Sequence, residues 1–382
     1  MLRAEPAFRP ARATHPARTA ADAAGCYVRV VEDGAREDDD TGTEVATLGL
    51  ALAGGAARGV AHLGVLRALR DRGVQPDVLS GTSAGALIGA LWAAGWRDEH
   101  IREAVHGFAP FQPWRYTYTR PGLFDFRYVR HYWSRYLPER FEDLDRPLTV
   151  VVTEVATGEP RYLDSGPLEP AVLASCALPP LFESVEIDGR RYFDGGLVEN
   201  LPSTPLRNRC TFLVGSEVNP DREAKLDCCD STWGLFSRGM EVVFRAASDN
   251  SRGLCDAIIE PEGLEAIHPL DTSRLVEIEA LGYDDALRAL DAHGSRFAPF
   301  VGRAGPPSTA PRIPTRPEPT ELYAPVFPDL PLPRAVREHP EHAFALILGA
   351  AAATGVAWWW QRRSPASPLT RRRRPRRRRR AR

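Results

Sequence analysis

Apolar residues along the chain gather into short continuous runs that alternate with longer periodic stretches. The runs Val45–Ala53, Asp77–Ser80, Leu148–Val155 and Thr211–Val218 are bounded by turn-forming residues and predict strands buried on both faces. Between them, Ala57–Arg72 places Val60, Leu63, Leu66 and Leu69 at helical spacing, and Ala84–Ala94, Tyr128–Leu137 and Tyr283–Phe297 also read as helices. Strands alternating with helices predict an α/β domain with helices on both faces of a mostly parallel central sheet, a three-layer sandwich. The ordered body is expected over residues 45–304. Residues 1–44 read as a disordered leader, rich in Ala, Arg and Pro and then in acids, without the apolar core of a secretory signal. Proline dominates 305–342, which predicts an extended linker.

Residues 343–360 carry no charge and would span about 27 Å as a helix, just enough to cross or enter a bilayer. The stretch ends in Trp358-Trp359-Trp360 followed by Arg362 and Arg363, an aromatic belt beside a basic anchor. Charge sharpens the picture. The whole chain of 382 residues is close to neutral at −1, but twelve arginines lie in the tail 361–382. Removing them from the 49 basic residues leaves 37 against 50 acidic ones, an acidic body with a basic tail. Such a body does not suit nucleic acid as a partner, so any polyanion contact falls to the tail, which suits anionic lipid. The expected location is a cytoplasmic body attached to a membrane surface through its C-terminal segment. Cys26, Cys176, Cys210, Cys228, Cys229 and Cys255 form neither a C-x-x-C pair nor a zinc pattern, so no metal site and no disulfide framework is expected.

Candidate chemistry starts at Gly81-Thr82-Ser83-Ala84-Gly85. The pattern recurs by chance in many chains, but here a strand-like run precedes it and an Ala/Leu helix follows, the strand–turn–helix elbow that exposes a nucleophile. The helix N-terminus behind Ser83 offers backbone N–H groups and positive potential to a developing oxyanion. Gly54-Gly55-Ala56-Ala57-Arg58-Gly59 follows the first strand, and glycines there let amides approach a ligand oxygen closely. A dinucleotide fingerprint would need a glycine at Ala56. The third feature is Asp194-Gly195-Gly196, by itself a turn signal. Aromatic residues crowd 108–141, where Phe108, Tyr128, Tyr132 and Trp133 stand among arginines, a composition suited either to a core or to a lipid-facing cap.

In this order the three motifs resemble the patatin-like phospholipase family, particularly its bacterial members. Leu48–Leu69 is similar to the family's glycine-rich block, GTSAG to its elbow, and Ala174–Pro202 to the block holding its acidic residue; Thr153–Gly166 matches the intervening strand and hairpin. The similarity runs over about 45–300. It implies a Ser–Asp dyad without cofactor or metal: Ser83 as nucleophile, Asp194 as base, and the amides of Gly54, Gly55, Ala56 and Ala84 as the oxyanion hole. Arg58, Gly59, Gly81, Gly85, Gly195 and Gly196 would support these motifs, and Ala56 departs from a glycine common in the family. The implied activity is hydrolysis of lipid acyl esters, phospholipid or lysophospholipid, through an acyl-enzyme. Two alternatives stand beside it: a Ser-His-Asp esterase using His268 or His293 with Asp256 or Asp271, and a non-catalytic, membrane-docked lipid-binding protein.

Overall fold

The computed structural model of the chain describes residues 46–108, 121–124, 126–220 and 232–302. The expected leader, Pro-rich linker, membrane segment and Arg-rich tail lie outside them, as do Cys26, Cys228 and Cys229. Among the described residues, no helix is long and apolar enough to cross a membrane.

In chain order the elements are β1 (Leu48–Leu52), a 3₁₀ turn (Ala56–Val60), α1 (Ala61–Asp71), β2 (Val78–Thr82), α2 (Ala84–Ala93), α3 (Asp98–Gly107), α4 (Phe126–Trp133), β3 (Leu148–Glu154), β4 (Pro160–Leu163), α5 (Leu168–Ser175), β5 (Val185–Ile187), β6 (Arg190–Asp194), β7 (Phe212–Ser216), α6 (Thr232–Arg252), β8 (Ala257–Ile259) and α7 (Leu275–Ala292). β3, β2, β1, β7 and β8 lie side by side and parallel, while β4, β5 and β6 pair antiparallel around β3. The four apolar runs became β1, β2, β3 and β7, each fully buried, as strands covered on both faces must be. Alternate β1 residues serve different packing layers. Leu48, Leu50 and Leu52 join a cluster with α1, α2 and α5 side chains, whereas Ala51 and Ala53 pack with Leu201, Leu206 and Ile278.

Two rungs of β3 bring distant parts of the chain together. Thr82, the last residue of β2, lies opposite Val151, and Asp194, the last of β6, lies opposite Val152. Because β4 occupies the other edge of β3 at these rungs, β2 and β6 share one edge and meet there end to end. The chain leaves β2 into Ser83 at the point where it leaves β6 into Gly195.

The expected helices are present with shifted bounds. The stretch Ala57–Arg72 divides into a 3₁₀ turn and α1, and the late helix begins at Leu275 rather than Tyr283. Helices α1 and α7 cross where two glycines bring backbones into contact: a Cβ on Gly64 would sit 2.1 Å from the Glu279 carbonyl oxygen, and one on Gly282 2.1 Å from that of Ala61. This crossing holds the start of α1, and with it the glycine-rich turn, in place. Gly282→Ala should therefore force the helices apart and lower stability by about 1–3 kcal/mol, read by chemical denaturation; an unchanged midpoint would show that the crossing is not close-packed.

Candidate active site

The turn after β2 is sharp. Ser83 has φ 52° and ψ −121°, a conformation that costs a non-glycine residue on the order of 1–3 kcal/mol and projects its side chain off the sheet end. Close approach requires the glycines beside it: a Cβ on Gly81 would lie 2.5 Å from the Ala86 Cα, and one on Gly85 2.2 Å from the Leu52 carbonyl oxygen. The backbone N–H of Ser83 donates to the Ser175 hydroxyl at 2.8 Å, and that hydroxyl donates to the Val151 carbonyl at 2.7 Å. Ser175 thus ties the elbow to β3 from the end of α5.

Asp194 is 1% exposed, borders the same cavity as Ser83, and lies close enough for the Ser83 side chain to favour its ionised form. Its Oδ1 accepts the Gly196 N–H at 2.8 Å, its main-chain carbonyl accepts the Thr153 hydroxyl at 2.7 Å, and its N–H donates to Ala177 at 3.1 Å. Burial pushes the carboxyl up to about 7, outweighing the Gly196 hydrogen bond and the nearby Ser83 side chain, which favour its ionised form. Gly195 packs onto the Val151 carbonyl, where a Cβ would stand 2.3 Å away.

The glycine-rich turn faces this pair. Gly54, Gly55, Ala56, Ser83, Ala84 and Asp194 border one cavity of about 160 Å³. The amides of Gly55, Ala56 and Ala84 have no acceptor among the described residues. Gly54 departs from expectation. Its N–H is donated to the Asn200 carbonyl at 3.0 Å, because the turn leaves β1 alongside the Asp194 block, so it is not a free oxyanion donor. Ala56 adopts φ 50°, the left-handed conformation that a glycine would take at lower cost. Gly59 presses against the Ala84 side chain, with a Cβ position 2.4 Å from it. Arg58 does not reach the cavity. Its guanidinium is buried, bonded to the Ile267 carbonyl at 2.7 Å and paired with Glu241 at 2.9 Å, and so fastens α6 to the turn.

Beyond the polar residues the cavity wall is apolar, with Leu87, Ile88, Val129, Trp133, Leu181 and Phe182 prominent. The aromatic-rich stretch accordingly turns inward where it is described: Phe124, Phe126, Tyr128, Tyr132 and Trp133 are buried, and Phe108 and Trp133 border the cavity. Phe111, Trp114, Tyr116 and Tyr118 lie outside the described residues.

No histidine is among the residues bordering the cavity. His268 accepts the Leu270 N–H, His293 caps α7, and buried His62 links Ser216 to the Ala53 carbonyl, with burial pushing its imidazole down to about 4. Among the described residues, the geometry therefore gives the Ser-His-Asp alternative no base beside Ser83. Asp256, a candidate acid for that alternative, instead accepts hydrogen bonds from Arg207 and the Leu213 N–H. No group of His, Cys, Asp and Glu able to hold a metal occurs among the described residues.

Four contributors carry no role in the motif pattern alone. Cys176 borders the cavity with Ser83, and its thiol is pushed well up by burial and by Asp194. Ser175 ties the elbow to β3. Asn200 wedges its side chain between Gly54 and Gly196, and Asn219 donates to the Gly54 carbonyl. Ser175, Cys176 and Asn200 carried one signal, their place in the block Ala174–Pro202, and Asn219 carried none.

Residues 50–207 match the sequence model of the family described as patatin-like phospholipase. The chain is 30% identical over 219 residues to an uncharacterized NTE family protein of Mycobacterium tuberculosis, covering 55% of this chain and 61% of that one. It is 35% identical over 209 residues to a patatin-like phospholipase domain-containing protein of Caenorhabditis elegans, covering 50% and 15% of the respective chains. A lysophospholipase of Saccharomyces cerevisiae is 30% identical over 207 residues, covering 50% and 12%. The matched part thus spans about three fifths of the mycobacterial relative and a small fraction of the other two.

Holding a carboxyl in so dry a place has a cost that depends on pH. With its folded value raised from 3.8 to about 7, Asp194 opposes folding in its ionised form; the cost is present above pH 7 and relieved as pH falls through the folded value. Asp194→Asn should therefore stabilise the protein at pH about 8 by roughly 2–4 kcal/mol, and by clearly less at pH about 5, in denaturant titrations at both values. Equal effects at the two pH values would contradict a raised carboxyl.

Proposed function

We propose that this chain, whose residues 50–207 form a patatin-like phospholipase domain, is a lipid acyl hydrolase of the phospholipase A or lysophospholipase type. The observation that carries this reading is the placing of buried Asp194 beside the Ser83 side chain at the wall of an apolar cavity, next to amides that have no acceptor among the described residues. Free Asp is a weak base, but one pushed up to about 7 takes a proton from a serine hydroxyl far more readily while about half of it is ionised at neutral pH.

In this reading Ser83 Oγ attacks the ester carbonyl carbon and its proton passes to Asp194. The amides of Gly55, Ala56 and Ala84 hold the negative oxygen, helped by the N-terminal end of α2. As the tetrahedral intermediate collapses, Asp194 returns the proton to the departing alcohol oxygen, leaving Ser83 acylated. Water then adds to the acyl carbon, giving its proton to Asp194, and the fatty acid leaves as Ser83 regains its hydrogen. Apolar cavities of this order stay dry and accept hydrocarbon, which fits an acyl chain better than a headgroup. The lysophospholipase among the relatives supports a single-chain phospholipid as substrate. The Trp-rich stretch at 343–360 and the arginines after it would bring the domain to a membrane surface where such lipids lie.

The test is incubation with defined phospholipids and lysophospholipids, with products identified by mass. Fatty acid release is expected from the native protein. Ser83→Ala and Asp194→Asn should each lose at least about a thousandfold in kcat, and a fluorophosphonate should label Ser83 alone. Below pH about 7 kcat/KM should fall roughly tenfold per pH unit as Asp194 takes up its proton, with a plateau above. Native-level hydrolysis by Ser83→Ala, or a flat profile between about pH 5 and 9, would rule the dyad out.

A further inference from the structure

The three amides assigned to the oxyanion site can act only if they point at the reacting carbonyl, and the structure contains a device that aims one of them. The Gly54 carbonyl oxygen receives two carboxamide donors, Asn219 Nδ2 at 2.6 Å and Asn200 Nδ2 at 3.3 Å. The Gly54 N–H, at the other end of the residue, is fixed on the Asn200 carbonyl. A peptide unit is planar and trans, so holding the carbonyl of Gly54 on one side directs the N–H of Gly55 to the opposite side. That N–H has no acceptor among the described residues, and Gly55 borders the cavity with Ser83.

Asn219 is itself held. Its backbone N–H and its Nδ2 both donate to Glu217 Oε1, at 2.9 and 3.1 Å, and both residues are buried. The Glu217 N–H is anchored in turn on the Ile259 carbonyl at the end of β8. Between the two, Val218 presses against Gly55, where a Cβ would lie 2.4 Å from its Cγ2, so the peptide cannot swing back on that side. Asn219 is not among the residues bordering the cavity that holds Ser83; it borders an adjoining one that shares Gly55 and Ala56 with it, so its link to the oxyanion site runs through the Gly54 carbonyl. We propose that Asn219 is a positioning residue for ester hydrolysis: its carboxamide, fixed by Glu217, turns the Gly54–Gly55 peptide so that the Gly55 N–H faces the oxyanion. This rests on the reading of Ser83 as nucleophile.

The experiment compares the full chain with Asn219→Leu, Asn219→Asp and Ser83→Ala. Leucine fills the space without a donor. Aspartate is isosteric, replaces the donating nitrogen by oxygen, and is read in place of leucine if that variant does not fold. Active sites are first titrated with a fluorophosphonate, so that a fall in folded protein does not count as a fall in rate. Steady-state kinetics on a soluble lysophospholipid are then set beside affinity for an alkyl trifluoromethyl ketone, whose serine adduct carries the same oxyanion. Loss of aim should lower kcat per active site about 10- to 100-fold while KM stays within about threefold, and weaken the ketone by a matching factor. A role in folding alone would leave both unchanged per active site. Native kcat and ketone affinity in a folded variant, or a raised KM at native kcat, would overturn the proposal. Ser83→Ala separates the two failures: if it is inactive while Asn219→Leu is native, only the positioning role falls, whereas an active Ser83→Ala removes the dyad and this inference with it.

Discussion

The hydrogen-bond ladder along β3 is the constraint on which the site depends. Thr82 and Asp194 occupy successive rungs, opposite Val151 and Val152, so two strands distant in sequence end against each other on one edge. Slipping either strand by one residue would turn its side chains to the other face of the sheet and separate Ser83 from Asp194. Side-chain hydroxyls reinforce the alignment at the same place. Ser175 links the Val151 carbonyl to the Ser83 amide, and Thr153 bonds to the Asp194 carbonyl. Ser83 and Asp194 are therefore positioned by rigid sheet backbone rather than by loops, which is what a geometry tolerant of only small displacements requires.

Much of what surrounds that junction is locally unfavourable. Ser83 and Ala56 sit at φ near 50°, and Asp194 is a carboxyl without a cationic partner in a dry setting. Such features persist only where the surrounding structure over-determines them. Here the surroundings are five parallel strands packed on both faces, a backbone-to-backbone crossing of α1 and α7, and an ion pair between Arg58 and Glu241 that fastens α6 to the glycine-rich turn. The strained residues border the cavity and the apolar ones hold it in shape, a division between function and stability common in enzymes.

The buried strands were legible because parallel strands covered on both faces appear as unbroken apolar runs. The elbow and Asp194 were legible through local motifs and their resemblance to a family. Other features were not. β5 and β8 are three residues each, too short for a period to show, and α6 mixes exposed Leu235, Val242 and Val243 with buried Ser248. The occupied N–H of Gly54 shows a second kind of limit: composition marks a run of amides near a ligand, but which of them is already bonded depends on a partner far along the chain. Asn219 belongs to the same class, since its contribution arises only from tertiary contact and no spacing announces it.

The most direct measurement is a crystal structure of the protein after reaction with an alkyl fluorophosphonate. The account predicts phosphorus bonded to Ser83 Oγ, the alkyl chain along Leu87, Ile88 and Trp133, Asp194 still within hydrogen-bond reach of the serine oxygen, and the phosphoryl oxygen about 3 Å from the amides of Gly55 and Ala56. A phosphoryl oxygen held by other groups, or an adduct on a different residue, would contradict it.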